Sequence, residues 1–356
     1  MSERLVVVYR GGLVESFHTG SIAVVDTFGR LLAYCGDPGA QTFIRSAAKP
    51  FQTIPMLLEG AGDEFDLTSE EIALITASHG GEPHHVAAAA SILRKGDFDE
   101  EDLLCGSHVP YDEKAAAELR AAGELPSPLH NNCSGKHAGM LLASKLLDAT
   151  SSPYTAPDHP VQVEIEKSVA DFAGLSPGEI GMATDGCGVP SFFMSIHRAA
   201  LAYARLGATA LDSPPPAGLP RYSESARQVV DAMLAHPEYV AGNWSITTAL
   251  MEAVPRQLVT KDGAEGFYAM LILPPLADEL HDRCATGSRG PIGIAMKIHD
   301  GSMARGRNPA ILATLRALGI DLSDRPAIAP HLDGAIRNAA GVVVGEVRAE
   351  LDLKLL

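Results

Sequence analysis

Leu5-Val6-Val7-Val8-Tyr9-Arg10-Gly11-Gly12-Leu13-Val14-Glu15-Ser16-Phe17-His18-Thr19-Gly20-Ser21-Ile22-Ala23-Val24-Val25 opens the chain with apolar or alternating runs at 5–9, 13–17 and 21–25. A fourth run follows at 31–34, and Gly11-Gly12, Gly20 and Asp26-Thr27-Phe28-Gly29 punctuate the series. β-Branched side chains suit a pleated, half-buried surface. Spacers this short can close hairpins but leave no room for a crossover helix, so the strands are expected to be antiparallel.

Beyond residue 56 the pattern changes to helical spacing. Ala- and Leu-rich stretches at 70–76, 83–94, 113–122, 139–147, 161–173, 192–206 and 223–235 predict helices. The loops at 150–160, with three prolines, and 212–220, with Pro214-Pro215-Pro216, are either domain linkers or surface loops. Strand patterns return at 257–260, 266–272, 292–298 and 342–348, and one helix is expected over 308–318. The expected fold class is α+β over a single unit, 1–356. It is sheet-rich at 1–55 and 255–356 and mainly helical at 56–254, with one antiparallel sheet built from both chain ends.

Bulk properties exclude several functions. The 356 residues are 46% hydrophobic and 20% charged, and 28 Lys+Arg against 44 Asp+Glu leave a net charge of −16. A nucleic-acid partner needs a basic footprint and is not expected. Met1-Ser2-Glu3-Arg4-Leu5 has no basic-then-apolar leader pattern, and no apolar run approaches the roughly 18 residues of a membrane span. A cytoplasmic protein is therefore expected. Cys35, Cys105, Cys133, Cys187 and Cys284 are odd in number and contain no C-x-x-C, which disfavours a disulfide framework and leaves metal ligation or buried thiols.

Arg45-Ser46-Ala47-Ala48-Lys49 carries a Ser-x-x-Lys spacing. On a helical turn this puts both side chains on one face. A serine hydroxyl needs a base to become a nucleophile, and a lysine can be that base if desolvation or a nearby positive charge, such as Arg45, lowers its pKa. The spacing alone is weak, since it arises by chance about once in a chain this long. Pro50 also clashes with the carbonyl of Ser46 and disfavours helical geometry at Lys49, so a 3₁₀-like or kinked turn is expected, with regular helix from near Thr53.

Four other blocks are open to two readings each. Ala77-Ser78-His79-Gly80-Gly81-Glu82 offers a second hydroxyl and a carboxylate, or simply caps helices. His130-Asn131-Asn132-Cys133-Ser134-Gly135-Lys136-His137-Ala138-Gly139 precedes a helix whose free N–H groups can bind an anion. Asp185-Gly186-Cys187-Gly188-Val189-Pro190 is a tight loop expected to open another helix. The two cysteine loops form a metal site or merely bury two thiols. Lys261-Asp262-Gly263 is similar to the strand-edge Lys-x-Gly element of serine–lysine enzymes, but equally fits an exposed turn lysine.

In this order, the five blocks closely resemble the type II asparaginase family of rhizobial type, over residues 8–347. The resemblance implies a fold like serine β-lactamases and penicillin-binding proteins, a homodimer, and hydrolysis of L-asparagine to L-aspartate and ammonia. It implies that Ser46 with Lys49, and Ser78 with Lys261, form serine–lysine pairs. It implies a zinc ion on Cys133, Lys136 and Cys187, with His137 and Asp185 beside it and Arg45 supporting the Ser-x-x-Lys turn. The competing expectations are another serine–lysine hydrolase (a glutaminase, or a β-lactamase- or peptidase-like enzyme) and a non-catalytic zinc or amino-acid binding protein. Glutamine differs by one methylene, worth about 1–3 kcal/mol of discrimination.

Overall fold

The computed structural model describes residues 2–150, 153–176, 178–211, 219–284 and 287–356. The Pro214-Pro215-Pro216 run, one of the two expected linkers or loops, lies outside them. The chain divides into two compact units, one of Met1–Ile44, Met194–Arg205 and Ala249–Leu356, the other of Arg45–Phe193 and Leu206–Thr248.

The first unit is built on a sheet with nine strands among the described residues. Its main path runs Ala335–Arg337, Val343–Ala349, Glu3–Arg10, Leu13–Asp26, Ile292–Ile298, Phe267–Ile272 and Leu258–Asp262. Leu31–Cys35 pairs with Leu13–Asp26 and carries Lys354–Leu355 on its other side. The pairings are antiparallel, and they interleave the chain ends: Val7 lies opposite Arg348, and Ile22 opposite Met296. The α+β class and the two-ended sheet are thus present as expected. Leu5–Val8, Ile22–Val25 and Phe267–Ile272 are almost wholly buried. At about 1.5–3 kcal/mol for each large apolar side chain removed from water, these runs form the main apolar core of this unit.

Gly20 does not punctuate the sheet. The two strands expected at 13–17 and 21–25 are one continuous strand, Leu13–Asp26. A Cβ at Gly20 would lie 2.3 Å from the Lys297 carbonyl oxygen and 2.7 Å from Leu5 Cδ1. The glycine serves the close approach of neighbouring strands, not a turn.

The second unit is mainly helical. Lys49–Leu58 is buried at every position but the last, as a central helix must be. Ser168 donates a hydrogen bond to the Phe51 carbonyl at 2.8 Å from the neighbouring helix Pro160–Ala173. A 3₁₀ turn, Arg45–Ala48, precedes this central helix. The tight turn is as expected, but regular helix begins at Lys49 and not near Thr53. Pro50 falls in the first helical turn, where its missing N–H has no helical partner to lose.

Helix Ser134–Leu146 starts five residues before the expected 139. Gly135 and Gly139 hide it in the sequence because they serve contact with helix Ser69–Ile75: added Cβ atoms would lie 2.5 Å from the Leu74 oxygen and 2.9 Å from Ile75 Cγ2. The block 185–190 does not open a helix. It turns a hairpin between strands Gly181–Thr184 and Pro190–Ser195, closed by Asp185 N–H to Val189 O at 2.8 Å and Gly188 N–H to Asp185 O at 2.9 Å. Gly188 has φ +89°, which glycine adopts without strain. The helix expected from 192 begins only at Ile196. Among the described residues no helix is long and apolar enough to cross a membrane.

Candidate active site

Arg45, Ser46, Lys49, Ser78, Cys133, Lys136, His137, Asp185 and Cys187 all belong to the helical unit. The contact between helices Ser69–Ile75 and Ser134–Leu146 brings two of their blocks together. Ser78 follows the first helix closely, and Cys133 is the residue before the second. His79 ties the blocks further. Its backbone N–H donates to Asn132 O at 3.3 Å, and its Nε2 lies 2.8 Å from Ser134 Oγ, which in turn donates to Leu129 O at 3.0 Å. Gly81 N–H donates to His79 Nδ1, so the ring donates through Nε2. Burial, with His85 and Lys49 nearby, holds His79 well below the usual histidine range, consistent with a neutral ring.

Lys49 is buried, and its ammonium donates to the Ala77 carbonyl, to Ser78 Oγ at 3.2 Å and to the Asn132 carbonyl at 3.2 Å. Three donors meet three acceptors. Ser46 is half-buried, and among the described residues its hydroxyl has no hydrogen-bond partner. The serine that Lys49 touches is therefore Ser78, not the Ser46 with which it was expected to pair. The 3₁₀ turn and the pull of two carbonyls carry the lysine toward the Ser78 loop. Lys261 belongs to the other unit, where it is fully buried and donates to Asp262 Oδ1 at 2.6 Å. It is not an exposed turn lysine.

Arg45 grips Asp185 with two nitrogens, Nη2 to Oδ1 at 2.7 Å and Nε to Oδ1 and Oδ2 at 3.1 and 3.2 Å. Such forked pairing fixes both side chains. Burial pushes the Asp185 carboxyl up, but Arg45, with the Gly186 N–H and the Lys136 charge, outweighs it and leaves it below the usual range. Arg45 itself has φ +51°, uncommon for a residue with a Cβ and a form of strain that gathers at functional sites.

Cys133, Lys136 and Cys187 converge in a buried cluster. Lys136 Nζ lies 3.1 Å from Cys187 Sγ. A hydrogen bond from the Cys133 thiol, then the Lys136 charge, lowers Cys187 to about 4 against the cost of burial, while the same bond and burial push Cys133 up to about 12. Burial alone would lower Lys136, but the cysteines and Asp185 raise it. The cluster is thus a thiol, a thiolate and an ammonium. Among the described residues no group of three His, Cys, Asp or Glu side chains could hold a metal, so a metal here would need the lysine. His137 is fully buried beside them. Burial and Lys136 lower it to about 3, and its Nδ1 lies 2.8 Å from Tyr154 Oη.

Tyr154 and the Asn132 carbonyl were not legible as site groups. Tyr154 stands in a proline-rich loop with no periodicity, and a backbone carbonyl leaves no mark in a sequence.

The model of the L-asparaginase II family matches residues 6–349. No curated protein sequence matches the chain. Among solved structures, a crystal structure of Mglu is 15% identical with a TM-score of 0.46, covering 87% of this chain and 69% of that one. Mglu in its glutamate form is 16% identical with a TM-score of 0.46, covering 87% of this chain and 63% of that one. A probable glutaminase from Bacillus subtilis, complexed with 6-diazo-5-oxo-L-norleucine, is 12% identical with a TM-score of 0.40, covering 85% and 84%. With its family model matched almost from end to end, the chain belongs to the L-asparaginase II family and is an amidohydrolase.

Proposed function

We propose that the chain hydrolyses the side-chain amide of L-asparagine to L-aspartate and ammonia through an acyl-enzyme on Ser46. The observation that carries this reading is the buried Lys49–Ser78 contact at 3.2 Å, one turn beyond a serine whose own hydroxyl has no partner among the described residues. With Lys49 in its amine form, Ser46 Oγ attacks the amide carbon and its proton passes to the Lys49 nitrogen, directly or through the Ser78 hydroxyl. The C–N bond then breaks, ammonia leaves with a proton from the same pair, and an ester remains on Ser46. Water cleaves that ester, restoring the hydroxyl and releasing aspartate. Lys261 enters this reading as the second lysine of the reaction, to be tested by Lys261→Met.

A zinc ion would be held by Cys133, Lys136 and Cys187. The donor chemistry fits, because the hydrogens shared with the Cys187 thiolate come from Cys133 and Lys136, and a dication can replace both. When bound, zinc supplies a Lewis acid that orients the substrate. Arg45 keeps Asp185 ionised for the substrate's ammonium group, and His137 offers a ring nitrogen to an oxygen. Five buried thiols without disulfides support a cytoplasmic setting. A homodimer is supported by the exposed apolar side chains Leu13, Val14, Phe17 and Val343 on the two strands that flank Glu3–Arg10.

The test is ammonia release from asparagine and from glutamine, with and without a chelator, by the wild type and Ser46→Ala. Release from asparagine that vanishes in Ser46→Ala supports the reading. Near-normal turnover by Ser46→Ala, or a preference for glutamine or a β-lactam, sinks it.

A further inference from the structure

We infer that Tyr154 is a positioning residue that locks the His137 ring as its Nε2–H tautomer and aims that hydrogen at an anionic or carbonyl oxygen of the bound ligand. Tyr154 is wholly buried, so its hydroxyl cannot turn to solvent. The Leu104 backbone N–H donates to Tyr154 Oη at 2.8 Å, and His137 Nδ1 lies 2.8 Å from the same oxygen. The phenol has one hydrogen, and among the described residues Nδ1 is its one acceptor. A ring nitrogen that accepts carries no hydrogen, so a neutral imidazole must carry its own on Nε2.

The far side of the ring supplies the second observation. Nε2 is buried and without a partner among the described residues. A buried donor left unmet is costly, and native structures keep few of them. This one sits in the first turn of helix Ser134–Leu146, where free backbone N–H groups also favour negative charge. The fitting ligand is one with a carboxylate or amide oxygen. Gln162 Nε2 steadies the relay by donating to the Tyr154 carbonyl at 3.0 Å. The identity of the ligand rests on the asparagine reading above; the tautomer does not.

Protein labelled with ¹⁵N-histidine, examined by long-range ¹H–¹⁵N correlation, tests both parts. The His137 signals are identified by their loss in His137→Asn. The wild type should show His137 protonated on Nε2 alone. Tyr154→Phe should show both tautomers in exchange and a KM for asparagine raised about tenfold, with kcat changed far less. A wild-type ring protonated on Nδ1 overturns the proposal, even if Tyr154→Phe does not fold. So does a folded Tyr154→Phe protein with the tautomer and KM unchanged. If the relay behaves as expected but asparagine is not hydrolysed, the substrate assignment fails and the positioning role stands.

Discussion

The Lys49 ammonium lies 3.2 Å from Ser78 Oγ, 29 positions away in sequence, although Ser46 is only three residues distant on the same turn. One lysine thus links the two serine blocks inside the helical unit. On the proposed reading, Ser46, whose hydroxyl has no partner among the described residues, and Ser78, held by the lysine, have different jobs, and their variants should differ. Ser46→Ala removes the nucleophile and should lower kcat by about 10³ or more, while Ser78→Ala removes one member of the proton-accepting pair and should cost about 10². Lys49→Met should resemble Ser46→Ala. Steady-state ammonia release measures all three. If Ser78→Ala is the more damaging and a covalent acyl-enzyme still forms in Ser46→Ala, the roles of the serines are wrong.

Arg45 and Asp185 form a pH-dependent clamp. The Asp185 carboxyl lies below its ordinary range in the folded protein, with the cost of burial overcome by Arg45 together with the Gly186 N–H and Lys136. A depressed carboxyl stabilises the fold fully above its unfolded value, about 3.9, and that contribution is lost as pH falls through the lower folded value. Urea midpoints should therefore drop more steeply in the wild type than in Asp185→Asn below about pH 4, and run parallel above about pH 5. Parallel curves throughout would mean the pair contributes nothing to stability. Arg45→Lys should behave like a broken clamp, since an ammonium cannot reproduce the fork.

The sheet was legible because its strands are written locally. Leu5–Val8 and the run 292–298 alternate or stay apolar over short lengths bounded by turn residues, and both chain ends do so. Glycine misled twice, since Gly20 lies inside a strand and Gly135 inside a helix. In both cases the sequence shows a residue that permits turns, and the fold uses its missing side chain for contact. The site residues could be named one by one from their motifs, but the partner of Lys49 could not, because it depends on how two helices cross. The thiol–thiolate–ammonium state of Cys133, Cys187 and Lys136 was equally hidden, since it follows from the contacts among the three groups and not from any one of them.

Gly293 tests the packing of the sheet unit. A Cβ added there would lie 1.8 Å from the Ala200 carbonyl oxygen and 2.7 Å from the Ala204 nitrogen. Both are backbone atoms of helix Ile196–Ala210 and cannot rotate aside. Gly293→Ala should destabilise the protein by about 3 kcal/mol or more, at the upper end for overpacking. Urea unfolding measures this, and a loss under about 1 kcal/mol would show that strand and helix separate easily.

Zinc binding should release protons in a number set by the present state of the cluster. Cys187, lowered to about 4 by the Cys133 hydrogen bond and then by Lys136, is already a thiolate at neutral pH and has none to give. Cys133, pushed up to about 12, must lose its thiol hydrogen, and Lys136 must lose one from its ammonium to offer a lone pair. The sum is about two protons per zinc at pH 7. Calorimetric titrations of the metal-free protein in buffers of different ionisation enthalpy give this number directly. Release of about one proton would mean that Lys136 stays an ammonium and is not a ligand. Cys133→Ser would then separate the remaining cases. If zinc still binds tightly to that variant, the ion rests on a donor set other than Cys133, Lys136 and Cys187. If binding is lost along with the proton, the two sulfurs hold the ion without the lysine.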